Sequence, residues 1–452
     1  MSHLNPDFIE QIRLLYPEAN ESFLSAMSEP ALASIRLNPF KSIQTFDKDL
    51  QVPWCKEGRI LKERPSFVAD PLFHAGTYYV QESSSMFLHF VLDQIFEGKR
   101  KEKNAGIKVL DLCAAPGGKS TLICSLLKEQ DFLLANEIIK TRFPVLKENL
   151  NKWGTINFAC SSLDPKAFKP LDSFFDVIVV DAPCSGEGLF RKDPEAMKEW
   201  SLQAVDMCAA RQKRILEDII PALQPGGVLV YSTCTFNKKE DEEQVQYLIN
   251  QGFEPIEFKI NSDWNIELGE SHSFKFPYHL QKGEGFFLAC LRKPDEIKNK
   301  VNYKRKALNY CNKQVSSVFR EWVQPHKNFA ITQYGELYYA MEEYHTEWFE
   351  ILLGSNIIHS AGLPMGELDK RKQLIPSHEL ALSIHLNKEV PKIELNLEQA
   401  HLYLRKQNLV LSGYEQGWYL ACFESFPMGW MKVLGNRINN YLPSNYRVLK
   451  EL

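Results

Sequence analysis

Short apolar runs alternate with amphipathic stretches through the middle of this chain. The apolar runs predict strands at 107–112, 132–135, 157–161, 176–180, 228–232 and 285–291. The amphipathic stretches between them predict helices at 119–128, 141–153, 194–223 and 238–249. Strands that alternate with helices are typical of a parallel, doubly wound α/β sheet. The continuous apolar run at 177–180 indicates a strand that other elements cover on both faces.

The segments that flank this region have a different pattern. In the N-terminal segment, apolar residues at helical spacing mix with extended pieces, and the charged run 99–103 predicts a loop before the next unit. After a polar, basic stretch at 291–306, short β-like runs at 337–340 and 418–423 indicate small α+β or β-barrel modules. We therefore predict an N-terminal extension, an α/β domain, a linker with a first C-terminal module, and a second C-terminal module, at 1–100, 101–292, 293–380 and 381–452.

Composition narrows the class of protein. The chain has 452 residues, of which 44% are hydrophobic, so it can bury more than one core and is neither disordered nor collagen-like. No apolar run approaches the ~18–20 residues of a membrane-spanning helix, and the charged N-terminal segment is not a secretory signal. The ten cysteines are scattered without a C-x-x-C pair, which predicts a reducing cytoplasm, no disulfide framework and no metal site.

Charge is unevenly distributed along the chain. The net charge is −4, which by itself argues against a polyanionic partner. From residue 291 to the end, however, there are 21 Lys and Arg residues and 17 Asp and Glu residues, which gives this part a net charge of +4. The remainder of the chain has a net charge of −8. This asymmetry permits a nucleic-acid-binding face in the C-terminal part but does not require one.

A turn of small residues follows the first predicted strand. Gly117 and Gly118 allow close backbone approach to a ligand, and the helix that begins there offers free N–H groups, which suits a nucleotide-like cofactor. The spacing matches neither G-x-G-x-x-G nor the phosphate loop. Glu137 ends the next strand, where a carboxylate can bind ribose hydroxyls, and Asp164 follows the third strand near a predicted adenine edge. A structural turn and two solvated acids are the alternative interpretation.

Two cysteines follow two different predicted strands. Cys184 lies in the loop that begins at Asp181, and Cys234 lies between a strand and a helix that Asn237 and Glu240 are expected to cap. Because the carboxyl ends of parallel strands meet at one edge of a sheet, both thiols are expected to face one crevice. The neighbouring Arg191 and Lys192 can favour a thiolate or contact phosphate. Inert cysteines and a solvated basic pair are the alternatives.

These motifs together resemble the Nol/Nop/Sun family of RNA cytosine-5 methyltransferases. The matching segments are DLCAAPGGK (111–119), Glu137, Asp164, DAPCSGEGLFRKDP (181–194) and YSTCT (231–235). Segments 76–86 and 279–287 resemble the family's sequence before the first strand and at the closing strand. The tail segments at 362–368, 376–379 and 429–443 resemble the C-terminal modules of the bacterial RsmF type, which acts on 16S ribosomal RNA.

The resemblance implies a class I methyltransferase fold, Rossmann-like, with PUA-like C-terminal modules and S-adenosylmethionine (SAM) as the methyl donor. It implies that Glu137 holds the ribose, that Asp164 faces the adenine, and that Asp181 lies near both the donor and the base. Cys234 matches the family's nucleophile and Cys184 the cysteine that assists release. The remaining cofactor-binding residues would be Cys113, Ala114, Ala115, Pro116, Gly117, Gly118 and Lys119.

The expected activity is methylation of carbon 5 of cytosine in 16S rRNA, free or in the small ribosomal subunit, by a monomer in the cytoplasm. Transfer RNA or another rRNA is the alternative substrate, and a non-catalytic ribosome assembly factor is the alternative of another class. Intact Cys184, Cys234 and Asp181 argue against the latter. Basic segments that we expect to contact RNA are 99–103, 292–306, Arg191-Lys192, Arg405-Lys406, Lys432 and Arg437.

Overall fold

The computed structural model describes residues 4–102, 105–295, 301–325, 327–359, 362–435 and 437–450. The N-terminal part is a small α+β unit. Its antiparallel sheet has the strand order β2-β3-β1-β4. Its elements are α1 (Pro6–Leu15), α2 (Asn20–Ala26), β1 (Ser34–Leu37), β2 (Leu50–Val52), β3 (Cys55–Ile60), α3 (Pro71–His74) and β4 (Tyr78–Val80).

The central part is a large sheet with helices on both faces. Its elements are α4 (Phe87–Glu102), β5 (Lys108–Asp111), α5 (Gly118–Leu126), β6 (Phe132–Asn136), α6 (Phe143–Trp153), β7 (Phe158–Ser161), β8 (Phe175–Asp181), α7 (Pro194–Glu199), α8 (Leu202–Ile219), β9 (Leu223–Thr233), α9 (Glu242–Asn250), β10 (Glu254–Pro255), β11 (Glu267–Leu268), β12 (Phe274–Lys275) and β13 (Phe287–Arg292). The strand order is β11-β12-β13-β9-β8-β5-β6-β7, with β10 also paired to β13. This order and the helices between parallel strands confirm the predicted α/β methyltransferase-like fold.

Three details of the predicted elements were wrong. The charged run at 99–103 was predicted to be a loop, but α4 continues through it as far as Glu102, and Lys103 lies outside the described residues. The Lys99 ammonium donates to the buried carbonyl of Gly226 at 2.7 Å. The helix predicted at 194–223 breaks between α7 and α8, where the Ser201 side chain caps α8. β13 runs antiparallel to β9, although the pattern favoured a wholly parallel sheet.

The C-terminal part contains two further small sheets. The first has the order β14-β15-β16-β17, and the second has the order β18-β19-β20-β21, in which β18 runs parallel to β19. Their elements are α10 (Lys313–Arg320), β14 (Phe329–Tyr334), β15 (Leu337–Glu342), α11 (Thr346–Gly354), β16 (Leu363–Leu368), β17 (Leu374–Pro376), α12 (His378–Leu382), β18 (Lys392–Glu394), α13 (Leu397–Leu404), β19 (Gly417–Phe423), β20 (Phe426–Leu434) and β21 (Arg437–Asn440). Both predicted β-like runs are therefore strands.

The predicted boundaries between units remain predictions, and part of the expected linker, 296–300, lies outside the described residues. Within the parts of the chain that the structure describes, no helix is long and apolar enough to span a bilayer.

A buried arginine joins the N-terminal sheet to the cofactor-side helix of the central sheet. Arg36, on β1, is fully buried, and its guanidinium donates to Thr121 Oγ1 at 2.6 Å and to Gln81 Oε1 at 2.9 Å. It also lies over the Trp153 ring, 4.5 Å from the ring centroid. A buried charge with this many partners indicates that the N-terminal unit is fixed against α5 rather than loosely tethered.

We expect Gly76→Ala to destabilise the chain by more than about 1 kcal/mol. Gly76 has a φ of +73°, and a Cβ there would lie 2.1 Å from the carbonyl oxygen of Lys152. Gly98→Ala is the matched control, because a Cβ at this position in α4 meets nothing within 4 Å. Alanine in a helix interior should then stabilise by about 0.5–1 kcal/mol. Urea unfolding of both variants measures the contrast, and equal effects of the two substitutions would contradict it.

Candidate active site

The two cysteine loops meet because β8 and β9 are adjacent and parallel. Asp181 pairs in register with Ser232 at the ends of these strands, so the loops that follow leave the sheet side by side. The Sγ atoms of Cys184 and Cys234 lie 3.0 Å apart, and the backbone N–H of Cys234 points at the Cys184 sulfur at 3.4 Å. The predicted crevice with two facing thiols is therefore present in the structure.

The surroundings of the two thiols differ. The hydrogen bond with Cys234, together with burial, raises the pKa of the Cys184 thiol well above its usual range. Either sulfur could be the donor in this thiol–thiol hydrogen bond. Lys119 forms an ion pair with Asp181 at 2.7 Å and interacts electrostatically with Cys234. Burial acts to lower the pKa of Lys119, but the Asp181 carboxylate outweighs it and raises that pKa above its ordinary value. Lys119 therefore places a positive charge near both the Asp181 carboxylate and the Cys234 sulfur.

A buried polar cluster beneath the loops holds them together. The Glu240 carboxylate accepts hydrogen bonds from the Ser185 backbone N–H at 3.0 Å, from Gln212 at 2.8 Å and from Asn237 at 2.8 Å. It therefore connects the Cys184 loop, the Cys234 loop and α8. The Asn237–Glu240 pair does form as expected, but α9 begins only at Glu242, so the pair stabilises the turn before the helix.

The first two helices pack against the outer side of these loops. Phe8 of α1 contacts Phe190, and Phe23 of α2 contacts Phe236, each with ring centroids 5.0 Å apart. Gln11 donates to Glu187 Oε1 at 2.9 Å, within the Cys184 loop. The N-terminal extension therefore contributes directly to the position of the two cysteines.

A cavity of about 420 Å³ opens beside the thiols. Its polar end contains Glu137, and its apolar wall includes Ile138 and Ile139, which are 46% and 47% exposed. A nucleoside would cover these apolar side chains, and a carboxylate such as that of Glu137 is a group that can bind ribose hydroxyls. The residues thus fit SAM. Further lining residues are Leu112, Cys113, Ala115, Asn136, Arg142, Pro165, Asp181, Cys184, Ile215 and Cys234.

Several predicted cofactor residues do not line this cavity. Gly117 has a φ of +113°, and Gly118 packs so closely on Tyr79 that a Cβ would lie 3.2 Å from the ring. A Cβ at Gly117 would likewise lie 3.3 Å from Asn149 Cβ, so a side chain at either glycine would meet protein; contact of their backbone with the cofactor stays a prediction. The Asp164 carboxylate accepts from the Lys166 backbone N–H at 3.2 Å and lies 3.4 Å from Arg214, so it caps a turn beside the cavity. The other predicted cofactor residues that do not line the cavity are Ala114, Pro116 and Lys119.

Arg191 and Lys192, the basic pair that was predicted to contact phosphate, lie in different surroundings. The Arg191 side chain is buried, lies 4.7 Å over the Tyr278 ring, and donates to the carbonyl oxygens of Lys282 and Gly283. This placement differs from the expected phosphate contact and gives Arg191 a structural position. Lys192 is exposed, and its contact with RNA stays a prediction.

Several polar residues at the site were not singled out from the sequence, among them Arg211 and Arg214, which line the cavity. Ser232 donates to Asp181 Oδ1 at 2.8 Å, and Arg142 donates to the Ala115 carbonyl at 2.5 Å. Burial raises the pKa of Asp111 to about 7, although Ser120 donates to its carboxylate at 2.6 Å. Asp111 and Ser232 lie within the quoted motifs, so strand-end position could have identified them. Arg142 is on no motif and becomes evident only in three dimensions.

Comparisons with known proteins agree with this geometry. The family described as 16S rRNA methyltransferase RsmB/F matches residues 99–292. The family described as the N-terminal domain of 16S rRNA methyltransferase RsmF matches residues 4–83, and the one described as the methyltransferase RsmF PUA domain matches residues 390–448. Ribosomal RNA small subunit methyltransferase F of Shewanella oneidensis is 31% identical over 98% of this chain and 97% of its own. The chain belongs to the RsmB/F methyltransferase family. The Aliivibrio fischeri protein of the same name is also 31% identical, over 97% of this chain and 96% of its own.

Solved structures resemble about two thirds of the RsmB/F-family chain. A methyltransferase homolog protein from Pyrococcus horikoshii has a TM-score of 0.51 and 27% identity, covering 64% of this chain and all of its own. NSun6 from the same organism, solved with SFG, has a TM-score of 0.54 and 22% identity, covering 65% and 99%. The protein is a SAM-dependent RNA methyltransferase with a PUA-like module at its C-terminal end.

Proposed function

We propose that this RsmB/F-family enzyme methylates carbon 5 of a cytosine in 16S rRNA, with Cys234 as the nucleophile and Cys184 assisting release. The observation that carries the proposal is the pair of thiols 3.0 Å apart at the mouth of the nucleoside-sized cavity. Full-length similarity to proteins named ribosomal RNA small subunit methyltransferase F favours this substrate over transfer RNA.

The two thiols serve different steps. Carbon 5 of cytosine is a poor nucleophile, but addition of the Cys234 thiolate to carbon 6 makes an enamine-like ring whose carbon 5 can attack. SAM supplies the methyl group at that stage. A base must then take the proton from carbon 5; its electron pair re-forms the double bond between carbons 5 and 6, and the bond from carbon 6 to Cys234 breaks to release the Cys234 thiolate. Cys184, in contact with that sulfur, assists this last step.

Asp181 is suited to hold the target ring. Ser232 and Lys119 bind its two carboxylate oxygens, which orients the side chain at the end of β8. A carboxylate in this position can bind N3 and the exocyclic amine of cytosine, stabilising the ring protonated at N3 during thiolate addition. The base must leave its stack to reach the crevice.

RNA contact is expected on exposed basic residues rather than on the buried ones. Lys99 is buried on Gly226, whereas Lys406, Lys432 and Arg437 have exposed or half-exposed side chains in the last module. Because phosphate contacts release counterions, affinity for RNA should fall steeply with added salt. An affinity that is independent of salt would contradict this interface.

Transfer of labelled methyl groups from SAM tests the proposal directly. Small-subunit RNA, assembled small subunits and transfer RNA are compared as substrates, and the product is digested to nucleosides. Label in 5-methylcytidine from either small-subunit form supports the proposal. Label only in transfer RNA establishes the alternative substrate, and SAM binding without label on any RNA favours the assembly-factor alternative.

We expect Glu137→Gln to weaken SAM binding by about 10–100-fold, because hydrogen bonds to a charged carboxylate contribute about 1.5–3 kcal/mol. Glu137 lines the cavity, and its two carboxylate oxygens accept from the backbone N–H groups of Ala115 at 3.2 Å and Ile139 at 2.8 Å. Asp164→Asn is the matched control, because the Asp164 carboxylate also accepts from a backbone N–H group but does not line the cavity. Calorimetric titration with SAM measures both. Equal losses in the two variants would show that Asp164 also binds the cofactor.

A further inference from the structure

A group of three potential ligands lies far from the catalytic cysteines, where β3 faces the start of α4. Because side chains alternate along a strand, Cys55 and Glu57 point to the same face of β3. His89, in the first turn of α4, meets them there: its Nε2 atom lies 3.2 Å from Glu57 Oε2. The Cys55 Sγ atom lies 4.0 Å from the same oxygen, and the three ligand atoms lie within 4.8 Å of one another.

These separations are close to those around a tetrahedral ion. Ligand distances of about 2.0–2.3 Å place neighbouring ligand atoms roughly 3.3–3.7 Å apart. Small side-chain rotations would therefore bring sulfur, oxygen and nitrogen onto one ion. The ligand set combines a soft thiolate, an imidazole and a carboxylate, which suits zinc rather than magnesium or calcium.

We propose that Cys55, Glu57 and His89 bind one divalent ion of the zinc class, with water as the fourth ligand. The Glu57 and His89 side chains are 11% and 10% exposed, which leaves an opening for entry of the ion and for that water. Lys56 lies 3.4 Å from Glu57 Oε1 and so leaves Oε2 for the metal.

Binding of the ion would displace the Cys55 thiol proton to solvent, so the divalent cation would be balanced by the Cys55 thiolate and the Glu57 carboxylate. The ion would fasten the N-terminal sheet to α4, the helix that leads into the catalytic sheet, which is a structural role.

A metal-free ion pair between Glu57 and His89 is the alternative, with Cys55 as a neutral neighbour. A metal at this site would differ from the sequence prediction of no metal site, which rested on the lack of a C-x-x-C pair. The ligands here come from a C-x-E segment of one strand and a histidine on a later helix, a spacing that matches no common zinc motif.

Metal analysis of the full-length chain tests the site. The protein is purified from zinc-supplemented cells without chelators and assayed by mass spectrometry for metal content. It is then stripped with a chelator and titrated with Co²⁺, whose thiolate charge-transfer band reports a Co–S bond. The variants are Cys55→Ser, Glu57→Gln and His89→Gln, with Cys311→Ser as the matched control for loss of a remote cysteine and Cys184→Ala as the control for binding at the catalytic pair.

We expect one zinc ion per chain in the wild type, in Cys311→Ser and in Cys184→Ala, and at least about a tenfold loss of affinity in each ligand variant. Absence of both zinc and the Co²⁺ band in the wild type overturns the proposal. So does a band that persists in Cys55→Ser but disappears in Cys184→Ala. Circular dichroism shows whether each variant folds. If Cys55→Ser does not fold, the zinc content and Co²⁺ band of Glu57→Gln and His89→Gln decide the result.

Discussion

Cys234→Ala should abolish methyl transfer, with a loss of at least about 10³-fold, while Cys184→Ala should accumulate enzyme covalently bound to RNA. The reason is that Cys234 lies in the loop that resembles the family's nucleophile loop and has the Lys119 ammonium acting on its sulfur, whereas the hydrogen bond to Cys234 and burial raise the pKa of the Cys184 thiol. Without Cys184 the adduct forms but its resolution is slowed. Labelled-methyl transfer and denaturing gels of the RNA complex measure the two effects.

Cys208→Ala is the matched control for these variants. Cys208 lies on the neighbouring α8 and is not among the residues that line the cavity, so its loss should leave transfer and gel mobility unchanged. The reverse pattern would contradict the assignment. If Cys234→Ala accumulated the complex and Cys184→Ala abolished transfer, Cys184 would be the nucleophile.

The second large effect is expected for Asp181→Asn, which keeps the shape of the side chain and removes its charge. Loss of the carboxylate removes the partner of the half-buried Lys119 ammonium and the group proposed to hold the protonated cytosine ring. We expect kcat to fall by about 10²–10⁴-fold, the usual range for a group that assists proton transfer. Steady-state methylation kinetics measure the loss.

Asp206→Asn provides the comparison for Asp181→Asn. Asp206 forms an ion pair with Lys239 on the surface, and an exposed pair of this kind contributes only about 0–1 kcal/mol. Its removal should leave kcat unchanged. A change only in the KM for RNA in Asp181→Asn, with kcat preserved, would contradict a role in the chemical step.

The strand pattern predicted the catalytic edge of the sheet well, because strand ends are local features. Cys184 and Cys234 follow apolar runs, and parallel neighbours must bring such positions together. The capping pattern likewise indicated the Asn237–Glu240 pair, since its two residues are three positions apart.

Features that depend on distant partners could not be read in this way. Arg191 was expected to face RNA, yet its guanidinium turns inward to carbonyl oxygens about ninety residues later in the chain. Lys99 lies in a helix, and its ammonium donates to a buried carbonyl 127 residues away. In both cases, a charged residue looks solvent-exposed in the sequence because nothing local reveals its acceptor.

The contact between Gln11 and Glu187 spans 176 residues, which has a consequence for biosynthesis. A ribosome adds about 5–20 residues per second, so the first two helices emerge roughly 10–35 s before the loop on which they pack has been made. During that interval the apolar faces of Phe8 and Phe23 lack their native partners. The N-terminal helices therefore reach their native packing only after the cysteine loops emerge, and until then the nascent chain is exposed to chaperones and to premature association.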